Sequence, residues 1–158
     1  MSYDQIGSEI KSLKSELQQR KERFGEAKSS ISDLEIMVST FEEKKIKYDK
    51  KQYKKAISAF ESGDYESAQT LANAAREKTE GSISEMEKVD ELKWRLIAKI
   101  DDFNDGSNIL FSESGVKEID KLIAKGDFHA ASEKIDNVNE ELESIVEAKK
   151  TAQKKIDL

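Results

Sequence analysis

The chain has 158 residues, a length that suits one domain. Charged residues make up 38% and hydrophobic residues 36%, with no proline and no cysteine. This excludes disulfides and thiolate metal sites, argues against a loop-rich globule, and points to long amphipathic helices. The net charge of −6 weighs against nucleic acid as the main partner. No apolar run approaches the roughly 18 residues of a membrane span, and the first residues do not read as a signal peptide. The expected location is cytoplasmic, in a reducing compartment. Disorder would suit the charge content, but the sustained apolar period along the chain argues against it.

The first helix opens on Ser2-x-x-Gln5, a capping-box pattern. Its apolar positions alternate in steps of four and three: Ile6, Ile10, Leu13, Leu17, Phe24, Ala27, Ile31, Leu34, Val38, Phe41 and Tyr48. Arg20 and Lys45 hold two seam positions, where their stems can lie on apolar surface. Such a narrow, persistent stripe belongs to a coiled-coil-like helix with one or two neighbours. Near residue 48 the register shifts and Tyr53, Ile57 and Phe60 take over, as in a stutter. One helix over about 3–62 is the expectation.

Within it, Lys44, Lys45, Lys47, Lys50, Lys51, Lys54 and Lys55 form the basic run of an acidic chain, with Tyr48 and Tyr53 interleaved. Two readings stand. The lysines face an anionic lipid, nucleic acid or acidic partner, or they coat a solvated helix face with the tyrosines turned inward. Arginine, the better phosphate reader, is missing from the run.

Gly63-Asp64-Tyr65, followed by Ala68, then turns the chain. Glycine takes the left-handed conformation that closes one helix, and aspartate caps the next. The same device recurs 63 residues later as Gly126-Asp127-Phe128 with Ala131. Between the two corners a second helix, about 64–104, carries Ala68, Ala72, Ala75, Thr79, Ser82, Met86, Val89, Lys93, Leu96, Ile100 and Phe103 on its seam, with Leu92, Trp94 and Ile97 beside it. Antiparallel pairing through the first corner would set Phe103 by Phe24, Leu96 by Ile31, Val89 by Val38 and Met86 by Phe41.

Ile109-Leu110-Phe111 is an apolar island in the next loop, either packed on the end of the bundle or offered to a partner as a docking knob. Ser114 can cap a short helix over about 116–125, and a last helix follows over about 127–156. Helical rise makes the first helix about 90 Å long, the second about 60 Å and the last about 45 Å. Those lengths close as a rod if the last helix covers Ile6, Ile10, Leu13 and Leu17. In the rival arrangement it runs along the second helix.

No chemistry gathers in this sequence. His129 is the sole histidine, beside a corner. No nucleophile system, phosphate loop, metal spacing or cofactor motif is present. The chain therefore reads as a non-enzyme with no cofactor.

Two resemblances rest on the corners. Tyr53-Lys-Lys-Ala56 with Phe60-x-x-Gly63-Asp64-Tyr65-x-x-Ala68 resembles the corner of a tetratricopeptide repeat, a peptide-binding fold, and Lys121-Leu122 with Gly126-Asp127-Phe128-x-x-Ala131 is a weaker copy. No proline ends the second helix, and the helices outrun a repeat of about 34 residues. Long coiled-coil helices joined by Gly-Asp-aromatic corners are also similar to spectrin-like repeats, including those of the bacterial septation-ring regulator. That likeness implies a cytoskeletal or scaffolding role. The overall expectation is an all-α, elongated antiparallel coiled-coil bundle of about four helices. It would serve protein–protein interaction or self-assembly, with a protein partner or a homo-oligomer. Binding to an anionic surface through Lys44–Lys55 is the alternative.

Overall fold

The computed structural model describes residues 2–157 and is all-α. Five helices follow in order among them: α1 (Tyr3–Glu43), α2 (Lys50–Glu61), α3 (Tyr65–Asp105), α4 (Ser114–Ala124) and α5 (Phe128–Ile156). The capping box closes α1 as anticipated: the Gln5 N–H donates to Ser2 Oγ at 3.3 Å, and the Ser2 N–H donates to Gln5 Oε1 at 3.0 Å.

The expected single helix over 3–62 is broken, which raises the count from four to five. Lys45 takes a left-handed backbone with φ 55°, so it ends a helix instead of sitting on a seam. Asp49 restarts the chain, its carboxylate accepting the Lys51 N–H at 2.9 Å. The ring of Tyr48 stacks on Phe41 at 5.9 Å. The register shift near residue 48 is therefore a reversal of chain direction.

The chain divides into two compact units. One holds Tyr48–Glu80 with the chain up to Phe41, and the other holds Glu42–Lys47 with the chain from Gly81 on. Helix α3 contributes its first part to one and its second part to the other.

In the first unit α1 and α2 run antiparallel, with Phe24 against Phe60 at 5.4 Å and the Tyr53 hydroxyl donating to Glu35 at 3.5 Å. Helices α2 and α3 are again antiparallel across the Gly63 corner, so α1 and α3 run in the same direction. Arg23 meets Glu66 at 3.8 Å, and Asp33 meets Arg76 at 3.4 Å, ten residues further along both helices. The core joins Ala27, Ile31, Leu34 and Val38 of α1 to Ala56 of α2 and Ala68, Ala72 and Ala75 of α3. Small residues on two of the three helices allow close approach of their backbones. The pairing of Phe24 with Phe103 and its companions is thus overturned, because Phe24 packs on Phe60 and Tyr65. The break supplied α2 as the antiparallel neighbour.

The second unit repeats the plan with larger side chains. Lys93 pairs with Asp120 at 3.1 Å across antiparallel α3 and α4. Lys134 pairs with Glu118 at 2.6 Å across antiparallel α4 and α5. Lys99 reaches Glu143 at 3.6 Å, and Lys149 donates to the Gly106 carbonyl at 3.2 Å, which sets α5 alongside α3 in the same direction. Leu96, Ile100, Ile119, Ile123, Ile135, Val138 and Leu142 are buried. Of the residues beside the seam, Leu92 and Trp94 are exposed and Ile97 is half-buried. Ser114 does not cap α4. The cap residue is Glu113, which makes no side-chain cap bond, while Ser112 Oγ accepts the Ser114 N–H at 3.2 Å.

Both corners form as the sequence dictates. Gly63 has φ 80° and Gly126 φ 76°. The Asp64 N–H donates to the Ala59 carbonyl and the Asp127 N–H to the Leu122 carbonyl, both at 3.0 Å, closing each helix through its last free carbonyls. Asp64 then accepts the Ser67 N–H at 3.2 Å and Asp127 accepts the Ala130 N–H at 3.1 Å, which opens the next helix.

Candidate interaction surfaces

The first half of α1 carries an exposed apolar stripe. Its seam is the N-terminal continuation of the seam that forms the first core, in the same four-and-three alternation. N-terminal to Phe24, however, its apolar residues are exposed. Ile6, Ile10, Leu13 and Leu17 are 40%, 47%, 63% and 68% exposed. The last helix, expected on this stripe, runs alongside α3 within the second unit. Where the seam meets the first corner, Glu16, Arg20, Arg23, Gly63 and Tyr65 wall a cleft of about 310 Å³. Arg20 ends the apolar run there, and its guanidinium leans toward Gly63.

All seven lysines of the basic run are exposed, but the structure divides them. Lys44, Lys45 and Lys47 lie in the connection before Asp49, and Lys50, Lys51, Lys54 and Lys55 lie on α2. Lys44 pairs with Asp90 at 3.7 Å. The connection also carries Ile46, which is buried in the second unit, where the Lys47 N–H donates to the Ala124 carbonyl at 3.1 Å. The Lys47 carbonyl presses on the Gly126 corner so closely that a Cβ there would lie 2.6 Å from it. Nothing in the lysine pattern announces that apolar anchor. Asp49 is held below its ordinary carboxylate range by the Lys51 N–H and then by Lys78.

The apolar island splits in a similar way. Ile109 and Leu110 are exposed, whereas Phe111 is half-buried and its N–H donates to Asn104 Oδ1 at 2.7 Å. The structure thus brings Phe111 inward and leaves two of the three residues as a knob. On the same unit, Phe103, Leu142 and Val146 floor an open groove of about 650 Å³ rimmed by Lys99, Lys149 and Glu147. Lys149 spans part of it, with its ammonium 5.6 Å from the Phe103 ring.

His129 is exposed in the first turn of α5, 3.7 Å from Glu133. Among the described residues no group of three or more His, Asp or Glu side chains could hold a metal ion. Among them, too, no helix is long and apolar enough to cross a membrane. Glu118 and Lys134 form a close carboxylate–amine pair between α4 and α5. Their mutual hydrogen bond lowers the Glu118 pKa and raises that of Lys134, which is the behaviour of an ion pair bracing α4 against α5. No family model, curated protein or solved structure matches the chain.

Proposed function

We propose that this chain is a non-enzymatic helical scaffold whose task is protein–protein contact. The carrying observation is the exposed seam Ile6, Ile10, Leu13 and Leu17, held on a preformed helix in line with a packed core. A preformed helix spares an incoming partner the cost of helix nucleation, and an apolar stripe at coiled-coil spacing is a surface for another helix. The test is crosslinking of the tagged chain in its native cells, comparing wild type with Ile10→Asp/Leu13→Lys. Partners that crosslink to wild type should be lost from the variant; equal recovery by both chains would refute the reading.

A second reading uses the lysines, and what favours it is that Lys50, Lys51, Lys54 and Lys55 all project from one short helix and all are exposed. This face would hold an anionic surface. Changing the four to glutamate should abolish cosedimentation with vesicles rich in phosphatidylserine. Unchanged binding would reject it.

A further inference from the structure

The reversal between α1 and α2 is not dictated by the residues that make it. Between Gly25 and Gly63 the chain has no glycine and no proline, and the Glu42-Glu43-Lys44-Lys45 run and Lys50-Lys51 are good helix formers. Lys45 nevertheless takes a left-handed backbone with φ 55°, which is strained for a residue with a Cβ. At the other two reversals a glycine fills that role, with φ 80° and φ 76°. A strained residue persists where its surroundings hold it.

Here the surroundings belong to the second unit. Glu42–Lys47 lies in that unit, although the chain before it and α2 after it lie in the first. Ile46 is 6% exposed. The Lys47 N–H donates to the Ala124 carbonyl at 3.1 Å, and the Lys47 carbonyl fills the space that a Cβ on Gly126 would take. Lys44 reaches Asp90 at 3.7 Å, and Asp90 also meets Lys93 at 3.7 Å. An apolar plug, a backbone hydrogen bond and an ion pair therefore seat the connection against α3, the end of α4 and the second corner.

Helix α2 depends on its ends. It has 12 residues, a length at which an isolated helix is marginal. Ala56 is its one buried residue, and Tyr53, Ile57 and Phe60 are half-buried. The Gly63 corner fixes its C-terminal end. At its N-terminal end the Asp49 cap is internal to the helix and survives if the connection is released. The exposed Asp49–Lys78 ion pair, at 3.4 Å, is too weak to replace the seat.

We infer that the connection 42–47 is a latch. Seated on the second unit, it keeps α2 folded back on α1. Released, it relaxes toward the helix its residues favour, α2 comes away, and the first unit opens while the second stays folded. This device lies outside the contact surfaces proposed above and does not use the exposed stripe of α1.

Hydrogen exchange of the full chain, read by mass spectrometry under native conditions, tests the latch. Ile46→Asp should speed exchange over 50–61 at least about tenfold, while 131–142 in α5 keeps its wild-type protection. Lys45→Gly changes an exposed side chain and relieves the left-handed strain. It should slow exchange over 50–61 about threefold or more, and it tests the latch even where Ile46→Asp fails to fold. Wild-type exchange over 50–61 in Ile46→Asp would show that α2 is held locally. Equal speeding over 131–142 would show that Ile46 is ordinary core of the second unit. Either result overturns the inference, as does unchanged exchange over 50–61 in Lys45→Gly.

Discussion

The two units follow one plan and fill it differently. Each takes a long helix, a short antiparallel helix, a Gly-Asp-aromatic corner and a third helix running with the first. At the centre of the short helix the first unit has Ala56 and the second has Ile119, and both are fully buried. The first unit gains its stability from backbones drawn close by small side chains. The second gains it from filled volume, where burying one large aliphatic side chain contributes about 1.5–3 kcal/mol. The same topology should therefore answer to opposite errors: added volume in the alanine-rich core and lost volume in the aliphatic one.

The sharpest way to break the comparison is to exchange those central residues. Ile119→Ala should cost about 2–5 kcal/mol by leaving a cavity, while Ala56→Leu should cost about 1–3 kcal/mol by overpacking. Urea titration of the two variants measures this, and equal small losses would show that the two cores do not differ in packing as described.

The corners give the next effect. Gly63→Ala forces a left-handed backbone on alanine, worth about 1–2 kcal/mol, with its nearest neighbour 3.9 Å away at the flexible end of Arg20. Gly126→Ala carries the same strain and also drives a Cβ to 2.6 Å from the Lys47 carbonyl. It should be clearly worse than Gly63→Ala in thermal unfolding. If the two variants melt alike, the connection through Ile46 and Lys47 does not bear on the second corner.

The smallest effects are electrostatic. Asp49 in the first unit and Glu118 in the second both sit below their ordinary values of 3.8 and 4.5. A carboxylate with a depressed folded pKa contributes stability that is full above its ordinary value and is lost as pH falls through the folded one. Stability should therefore decline from about pH 4.5 downward. Asp49→Asn should remove the first unit's share and leave that of Glu118. NMR titration of the carboxyl carbons checks this directly, and midpoints at or above the ordinary values would contradict it.

Much of this was written in residues, and some of it was read in the wrong sense. The seams at Phe24, Ala27, Ile31, Leu34, Val38 and Phe41 and at Met86, Val89, Lys93, Leu96, Ile100 and Phe103 match so well that they suggest facing partners. They are instead corresponding positions of two units, because a repeated unit produces the same spacing as a complementary one. The 63-residue separation of the corners was the signal that favoured repetition. The break at 44–49 carries no glycine or proline to mark it. Its signs were the register shift and an aspartate able to cap, and neither outweighs a lysine-rich stretch of good helix formers. Of the candidate surfaces, the seven lysines could be placed on the surface from sequence. The division of Ile109 and Leu110 from Phe111 could not, since it depends on where Asn104 offers its acceptor.

The sequence by itself determined that the chain is helical, where the two corners fall and which face of each helix is apolar. Those properties come from backbone preference, glycine's left-handed freedom and the period of the side chains, all of which act within a few residues. Only the tertiary structure decided which helices share a core, that α1 and α3 run together, and that Ile6, Ile10, Leu13 and Leu17 are left without cover. A coiled-coil stripe states that a partner is needed and is nearly indifferent to which helix supplies it. The choice falls to side-chain volume and chain reversal across residues distant in sequence.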